Sequence, residues 1–394
     1  MYAWKRWTKA SALAVGLGAA VALASTPAAQ AGSRNPGPPQ YKVVPSWPKQ
    51  LPNNWLIGQV GGLAVDSHDH IWVLQRPLTL TADEAGAAQT PPRSECCFPA
   101  PSVIEFDKEG NMLQAWGGPG YVPDWPATEH GIWVDKKGFV WVAGNGGGDR
   151  MLLKFTNNGT LVGQIGHAGD TSPEDNTDTT KFGRIANMWV DDAAHEVYVA
   201  DGYQNKRIVV YDSDTLTFKR GWGAYGKPLS AISNANPPAY DPTAPVDQDF
   251  RNPVHYVALT KDGLVYVSDR VNDRIQVFTK QGAFVKEFFL RPETRGNGST
   301  WQAIGSADAK QAYLLVPDGE NNVVWILNRA TGAVVSSLGH NGRNAGQFHW
   351  VHVGGLDSDG ALYLGEVDTG KRVQKFVLRG DDDRDDDHDR DDRR

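Results

Sequence analysis

Six copies of one short module recur along the chain, and this repeat restricts the possible folds more than any other feature. The copies begin near Gly61, His130, Ala186, His255, Gln302 and His352. Each contains an apolar strand, a polar turn and a second apolar strand, and further strand-like stretches follow. Short strands with turn signals at this spacing predict an all-β chain. Four strands in each of six units predict a six-bladed β-propeller.

The ring of modules needs one strand from outside the repeat. The sixth module ends at Leu378, before any fourth strand. We therefore expect Tyr41–Val44, which precedes the first module, to supply that strand and close the ring. The propeller domain is predicted to span residues 32–380.

The first residues are typical of an export signal. A basic stretch at residues 5–9 precedes a short Ala-rich apolar segment and an Ala-Gln-Ala sequence at 29–31. This pattern predicts a signal peptide over residues 1–31 and an exported protein, periplasmic or extracellular. No later segment is long and apolar enough to predict a membrane span.

The other end of the chain is strongly charged. Residues 381–394 contain nine Asp and four Arg and cannot bury apolar surface, so we predict a disordered tail. The formal net charge of −7 and the absence of a basic patch argue against nucleic acid as a partner. We expect a monomer. The two cysteines, Cys96 and Cys97, are adjacent and predict either a vicinal disulfide or free thiols in a loop.

Histidine occupies the first position of alternate modules, at His130, His255 and His352. The intervening modules carry glycine, alanine and glutamine there. In a closed ring, alternate modules bring three imidazoles together around the axis. Three neutral nitrogens with a vacant fourth position are the ligand set of a catalytic zinc ion. The structural alternative is three unrelated core histidines, and His349 is the nearest competing ligand in sequence.

Second-strand ends add a second group of residues on the same predicted face. Arg76 and Arg270 end equivalent strands in modules one and four, which are opposite each other in a six-membered ring. Guanidinium groups suit bidentate binding of a carboxylate, so a small-molecule or peptide substrate with a carboxylate is predicted. Tyr203, one position further along in module three, is a candidate general base beside a metal ion and two cations. The alternative for both arginines is a salt bridge between blades.

A different pair in the same region is interpreted as part of the blade structure. Asp201 and Arg207 recur, one residue closer together, as Asp269 and Arg274. Tyr203, which lies between Asp201 and Arg207, has no tyrosine counterpart in the other modules.

These phrases resemble the NHL-type six-bladed propeller of the peptidyl-α-hydroxyglycine α-amidating lyase family, here an exported bacterial-type member. The resemblance covers roughly residues 44–378 and is carried by GQVGGLAVD, EHGIWVDKKGFVWVA, VYVADGYQNKRIVVY, VSDRVNDRIQVF and VHVGGLDSDGALYLGE. It implies zinc at His130, His255 and His352, a catalytic tyrosine at Tyr203, and active-site arginines at Arg76 and Arg270. It also implies cleavage of an α-hydroxyglycine to a primary amide and glyoxylate.

One position departs from the family pattern. The structural calcium of the family takes backbone carbonyls at positions matching Leu63 and Ile132, and a carboxylate from the residue after the third histidine. That residue is Val353 in this chain. The loss of a hard anionic oxygen disfavours calcium.

Three functions are therefore compared. The first is a zinc-dependent lyase of the amidating type. The second is a non-catalytic extracellular propeller that binds a carboxylated ligand or a protein partner on the same face. The third, a calcium-dependent lactonase-like propeller, ranks last because that chemistry uses acidic and amide metal ligands.

Overall fold

Six four-stranded antiparallel sheets make up most of the regular structure of residues 37–380, the part of the chain that the computed structural model describes. Each sheet is one blade, and its strands follow one another in sequence except in blade six. Blade one contains β3 (Gln59–Val65), β4 (Ile71–Arg76), β6 (Val103–Phe106) and β7 (Met112–Trp116). Blade two contains β8 (Glu129–Val134), β9 (Val140–Gly144), β10 (Leu152–Phe155) and β11 (Leu161–Ile165). Blade three contains β12 (Ile185–Asp191), β13 (Glu196–Asp201), β14 (Arg207–Asp212) and β15 (Phe218–Trp222).

Blades four to six complete the ring. Blade four contains β16 (Val254–Leu259), β17 (Leu264–Asp269), β18 (Arg274–Thr279) and β19 (Phe284–Phe289). Blade five contains β20 (Ile304–Gly305), β21 (Tyr313–Asp318), β22 (Val323–Asn328) and β23 (Val334–Leu338). Blade six contains β24 (Val351–Leu356), β25 (Leu362–Glu366), β26 (Val373–Leu378) and β1 (Tyr41–Val44). The first strands of blades one to four contact one another in turn, β20 contacts β24, and β24 returns to β3. The predicted six-bladed propeller is confirmed.

Small elements occupy the connections between blade strands. A parallel pair joins β2 (Trp55–Leu56) to β5 (Phe98–Pro99). Short 3₁₀ turns lie at Pro77–Thr79, Gly86–Ala88, Ala224–Gly226, Leu229–Ala231 and Arg270–Asn272. Cys96 and Cys97 are joined by a disulfide bond. Among the described residues, no helix has the length and apolar character needed to cross a membrane.

The strand that closes the ring comes from the N-terminal side, as the repeat predicted. Tyr41 pairs with Leu378 and Val44 pairs with Lys375, antiparallel to β26. The compact unit that contains the propeller begins at Pro38. The predicted signal peptide (1–31) and the Asp/Arg tail (381–394) lie outside the described residues.

The hydrophobic core consists of six clusters, each between two neighbouring blades of the described ring. Strand β4 shows why the sequence produces this arrangement. Its residues 71–74 are all fully buried. Ile71 and Val73 face blade six, whereas Trp72 and Leu74 face blade two, because successive side chains of a strand point to opposite faces. Residues 71–74 are therefore all apolar, and this segment lacks the alternating pattern of a half-exposed sheet.

Buried ion pairs hold the hairpin between the second and third strands. Arg207 Nε donates to Asp201 Oδ2 at 2.8 Å, and both side chains are 0% exposed. Arg274 and Asp269 form the same pair at 2.7 Å. Asp201 also accepts a hydrogen bond from the backbone N–H of Gly183, which lies just before the first strand of its blade. The pair therefore fixes the loop that leads into that strand, in agreement with the structural role inferred from the sequence.

We expect Arg207→Met to reduce the free energy of unfolding by about 3–5 kcal/mol, because Asp201 would remain buried without its cation. Urea denaturation measures the change. The matched control is Arg93→Met, since Arg93 pairs with Asp83 at 59% and 91% side-chain exposure. That change should cost less than about 1 kcal/mol. Equal losses in the two variants would contradict the structural role given to the buried pair.

Candidate functional site

The histidine positions coincide with a β-bulge in the first strand of a blade. In five blades the pairing of first and second strands skips one residue at the same place. The skipped residues are Gly61, His130, Ala186, His255 and His352. A bulge leaves one residue outside the ladder and re-aims its side chain. Blade five differs, because β20 begins only at Ile304, after Gln302.

The three bulged histidines meet at the centre of the ring. His130, His255 and His352 are 2%, 0% and 2% exposed. Their ring centroids are 4.8–5.2 Å apart. One nitrogen of each ring lies within 4.8 Å of a nitrogen of the other two, so the three together could hold a metal ion.

Each imidazole is oriented by a backbone carbonyl of the next blade. The contacts join Nδ1 of His130 to the Ala186 oxygen (2.6 Å), Nδ1 of His255 to the Trp301 oxygen (2.6 Å) and Nδ1 of His352 to the Val60 oxygen (3.2 Å). A carbonyl oxygen can only accept, so we assign the ring proton to Nδ1 in all three. That tautomer leaves Nε2 with a lone pair. In a metal-bound histidine, the ring nitrogen that does not bind the metal usually donates a hydrogen bond of this kind.

The Nε2 atoms fit a cation better than they fit each other. His255 Nε2 and His352 Nε2 are 3.2 Å apart. With the assigned tautomers, two lone pairs face each other at this distance, which is unfavourable unless a positive charge lies between them. Burial, followed by the neighbouring arginines and imidazoles, holds the pKa of each histidine well below its usual value. A proton is therefore disfavoured, and the donor set suits a metal ion that binds neutral imidazole.

Tyr203 joins the imidazole group, as the sequence predicted. Its hydroxyl lies 2.8 Å from His130 Nε2, to which it donates, and Arg270 Nη1 donates to the phenol oxygen at 3.4 Å. The backbone N–H of Tyr203 donates to the Arg184 carbonyl at 3.0 Å, which fixes the loop after β13. The phenol is therefore in contact with both the imidazoles and a guanidinium.

Arg76 and Arg270 flank the histidines. Arg76 Nε donates to the Glu129 carbonyl at 2.6 Å, and its Nη1 donates to Gln59 Oε1 at 2.9 Å. Burial lowers the pKa of Arg76, yet a guanidinium stays protonated at neutral pH. The guanidinium carbon of Arg270 lies 4.5 Å from the Trp301 ring centroid, and its buried Nε has no hydrogen-bond partner among the described residues.

The predicted salt-bridge alternative for these arginines does not fit the contacts. Neither Arg76 nor Arg270 forms an ion pair within residues 37–380, whereas Arg207 and Arg274 do. Both site arginines use neutral acceptors, namely carbonyl, amide and phenol oxygens. Their charge is therefore available to an anionic ligand.

Sequence reasoning missed residues that complete the site. Arg184 lies two residues before the bulge in blade three, and Gln59 lies two residues before the bulge in blade one. Asn297 accepts from Arg270 Nη2 at 3.3 Å. Extending the module alignment two positions upstream would have found Arg184 and Gln59. Asn297 belongs to a loop without repeat periodicity and had no such signal.

Other candidate ligands are explained by local structure. His349 pairs with Asp368 at 3.2 Å and lies apart from the buried group. Val353 packs in the apolar cluster between blades six and one, and its side chain has no carboxylate to offer a metal ion.

Asp66, His70 and Glu105 also bring potential metal ligands together. Asp66 accepts from two backbone N–H groups of its turn and from the Trp72 indole. Asp135 makes the same contacts with the turn before Trp141. This repeated pattern identifies Asp66 as a turn residue of the blade.

Known proteins share the repeat and the fold. No family model matches the chain. NHL repeat-containing protein 3 of Mus musculus is 26% identical over 86% of this chain and 84% of its own length. The Homo sapiens protein of the same name is 26% identical over 70% of this chain and 73% of its own length. These similarities support NHL repeats as the unit of the propeller.

Two further similarities are more limited. Peptidyl-glycine alpha-amidating monooxygenase B of Xenopus laevis is 26% identical over 63% of this chain, but over only 26% of its own length. The solved structure of a protein of unknown function from Bacteroides thetaiotaomicron has a TM-score of 0.50 at 15% identity, and the match covers 82% of this chain and 70% of that one. The structural match shows the fold alone.

Proposed function

We propose that the chain is an exported, zinc-dependent lyase that cleaves the C–N bond of an α-hydroxyglycine to give a primary amide and glyoxylate. The observation that carries the proposal is the convergence of three buried imidazoles, with two Nε2 atoms 3.2 Å apart and all three Nδ1 atoms directed at carbonyls. The similarity to an alpha-amidating protein of Xenopus laevis supports the reaction type.

The histidines would hold the metal through Nε2. Zinc is favoured because three neutral nitrogens with a free fourth position form a catalytic site, and calcium prefers oxygen ligands. When bound, zinc supplies Lewis acidity toward the hydroxyl of the substrate. The carbonyls of the next blade keep the three rings in place, so the ligand geometry does not depend on the metal.

Arg76 and Arg270 would bind the substrate carboxylate from two sides of the axis. Their guanidinium groups lack anionic partners among the described residues, and charge-assisted hydrogen bonds to a carboxylate are stronger than bonds to neutral oxygens. Binding this carboxylate places the adjacent hydroxyl-bearing carbon beside the histidines.

Tyr203 would move the proton. In the phenolate form it takes the hydroxyl proton of the substrate, the C–N electron pair leaves with nitrogen, and the same proton passes to that nitrogen. The carbon keeps its oxygen as the aldehyde of glyoxylate, so no other reactant is consumed. Arg270 Nη1 donates to the phenol oxygen at 3.4 Å and helps to orient it.

Export is part of the proposal because the first 31 residues have the pattern of a signal peptide. Intact mass of the exported protein should correspond to a chain that begins at Gly32. A full-length chain retained inside the cell would contradict this prediction.

We expect one zinc ion per chain after dialysis, measured by elemental mass spectrometry. Zinc at about 100 times its Kd should stabilise the fold by ~2.7 kcal/mol. His352→Gln should remove both effects, because it deletes one of three ligands. The matched control is His349→Gln, since His349 pairs with Asp368 away from the buried group. Equal zinc loss in both variants would argue against the three-histidine site.

We expect the zinc-loaded protein to release glyoxylate from a peptide that ends in α-hydroxyglycine, above the uncatalysed rate. Tyr203→Phe should lower kcat about 10²–10⁴-fold, because it removes the group that moves the proton. Zinc content and thermal unfolding of the variant provide the controls. No release by zinc-loaded protein would overturn the lyase and favour the binding propeller.

A further inference from the structure

We propose that Arg184 binds a second carboxylate on the acyl half of the substrate, so that the site selects a dianion. This inference rests on the proposed function for the orientation of the substrate. Its physical basis is a third guanidinium at the site, in a position where the other five blades carry no cation.

Arg184 is held at the start of blade three, beside Tyr203. Its backbone has φ of 68°, a left-handed conformation that is costly for a residue with a side chain. Two contacts maintain it: its carbonyl accepts from the Tyr203 N–H at 3.0 Å, and its Nε donates to the Asn145 carbonyl at 2.7 Å. The guanidinium carbon lies 5.8 Å from the Tyr203 ring centroid, the same distance as that of Arg270.

The outer nitrogens of Arg184 are available to a ligand. Within residues 37–380, Nη1 and Nη2 make no hydrogen bond to the protein, and the residue forms no ion pair. Its side chain is only half-buried. Burial lowers the pKa of the nearby Arg150, Asp170 and Asp201 raise it, and the charge of Arg184 lowers it, so Arg184 lies close enough to act on a second buried cation. Arg184 is thus a fixed cation without a protein counterion.

Three guanidiniums at the site have no carboxylate in ion-pair contact. Arg76, Arg184 and Arg270 form no salt bridge in the described structure. Glu129 and Asp149 act on Arg76 only at longer range: Glu129 accepts from Ser102 and Trp125, at 2.7 and 2.9 Å, and Asp149 accepts from backbone N–H groups. The carboxylate next to the reacting carbon would occupy Arg76 and Arg270, which leaves Arg184 for a second anion.

The position of Arg184 indicates which half of the substrate carries that anion. In the proposed reaction Tyr203 delivers its proton to the leaving nitrogen, so the acyl group attached to that nitrogen begins beside Tyr203. The Arg184 carbonyl accepts a hydrogen bond from the Tyr203 N–H, and the Arg184 guanidinium lies over the Tyr203 ring. A carboxylate a few bonds along the acyl chain would meet Arg184, as in an N-succinyl group.

The test compares N-succinyl-α-hydroxyglycine with N-butanoyl-α-hydroxyglycine, which has the same acyl chain without the second carboxylate. Wild-type protein should favour the succinyl substrate about tenfold or more in kcat/KM, the size of one charge-assisted hydrogen bond. Arg184→Gln should bring the ratio close to one, and Arg184→Lys should retain part of it. Equal kcat/KM values for the two substrates in the wild-type protein would overturn the proposal, whatever the variants show.

A purely structural role for Arg184 gives a different result. If the residue only held the Asn145 loop through Nε, Arg184→Gln would slow both substrates equally and leave their ratio unchanged. That outcome would also overturn the proposal. Thermal unfolding shows whether the variant is folded.

Binding of inert analogues separates this inference from the lyase assignment. N-succinylglycine and N-butanoylglycine lack the reacting hydroxyl, and calorimetry measures their affinities. Preference for the succinyl compound that Arg184→Gln abolishes would support the dianion site even in a protein that releases no glyoxylate. Equal affinities in a protein with lyase activity would reject the role of Arg184 and leave the lyase intact.

Discussion

The extra residue in the first strand of each of five blades is the constraint on which the site depends. A regular strand would place these side chains between blades, as it does for Ile71 and Trp72 on the second strand of blade one. The bulge instead directs the extra residue out of the ladder. Where that residue is histidine, its imidazole reaches the ring centre while its backbone stays in the blade. The bulge thus places polar side chains at the ring centre without a change in the apolar packing between blades.

Alternation of histidine around the ring has a structural cause. The blades without histidine supply the carbonyls, from Ala186, Trp301 and Val60, that accept the three Nδ1 protons. In blade one, side-chain space also excludes a histidine. A Cβ at Gly61 would lie 2.3 Å from the Glu129 carbonyl oxygen, so that bulge cannot carry a side chain. Three blades thus carry the imidazoles, and the other three orient them through backbone carbonyls.

The sequence predicted the blade count and the closing strand because both follow from a repeat. The positions of the three histidines and of Arg76 and Arg270 follow from the same repeat, whereas Tyr203 has no tyrosine counterpart in it. The sequence was less informative where contacts cross between blades. Gln302 is an example: its side chain accepts from the Gly354 N–H and donates to the Gly354 carbonyl, at 2.6 and 2.8 Å, so it joins blade five to the first strand of blade six. Arg184 is another, since its left-handed backbone and its proximity to Tyr203 depend on the neighbouring loop. Periodicity does not record such contacts.

Charge pairing separates the site arginines from the two arginines that stabilise the hairpins. Buried Arg150 uses backbone carbonyls, whereas Arg207 and Arg274 meet carboxylates, because an unpaired buried charge is costly. The site arginines do not, and the imidazoles beside them stay neutral because burial and those same cations lower the pKa of each histidine. One arrangement therefore keeps the imidazoles neutral and leaves the guanidiniums without a carboxylate in ion-pair contact. This combination of charges favours an anionic group at the centre of the ring.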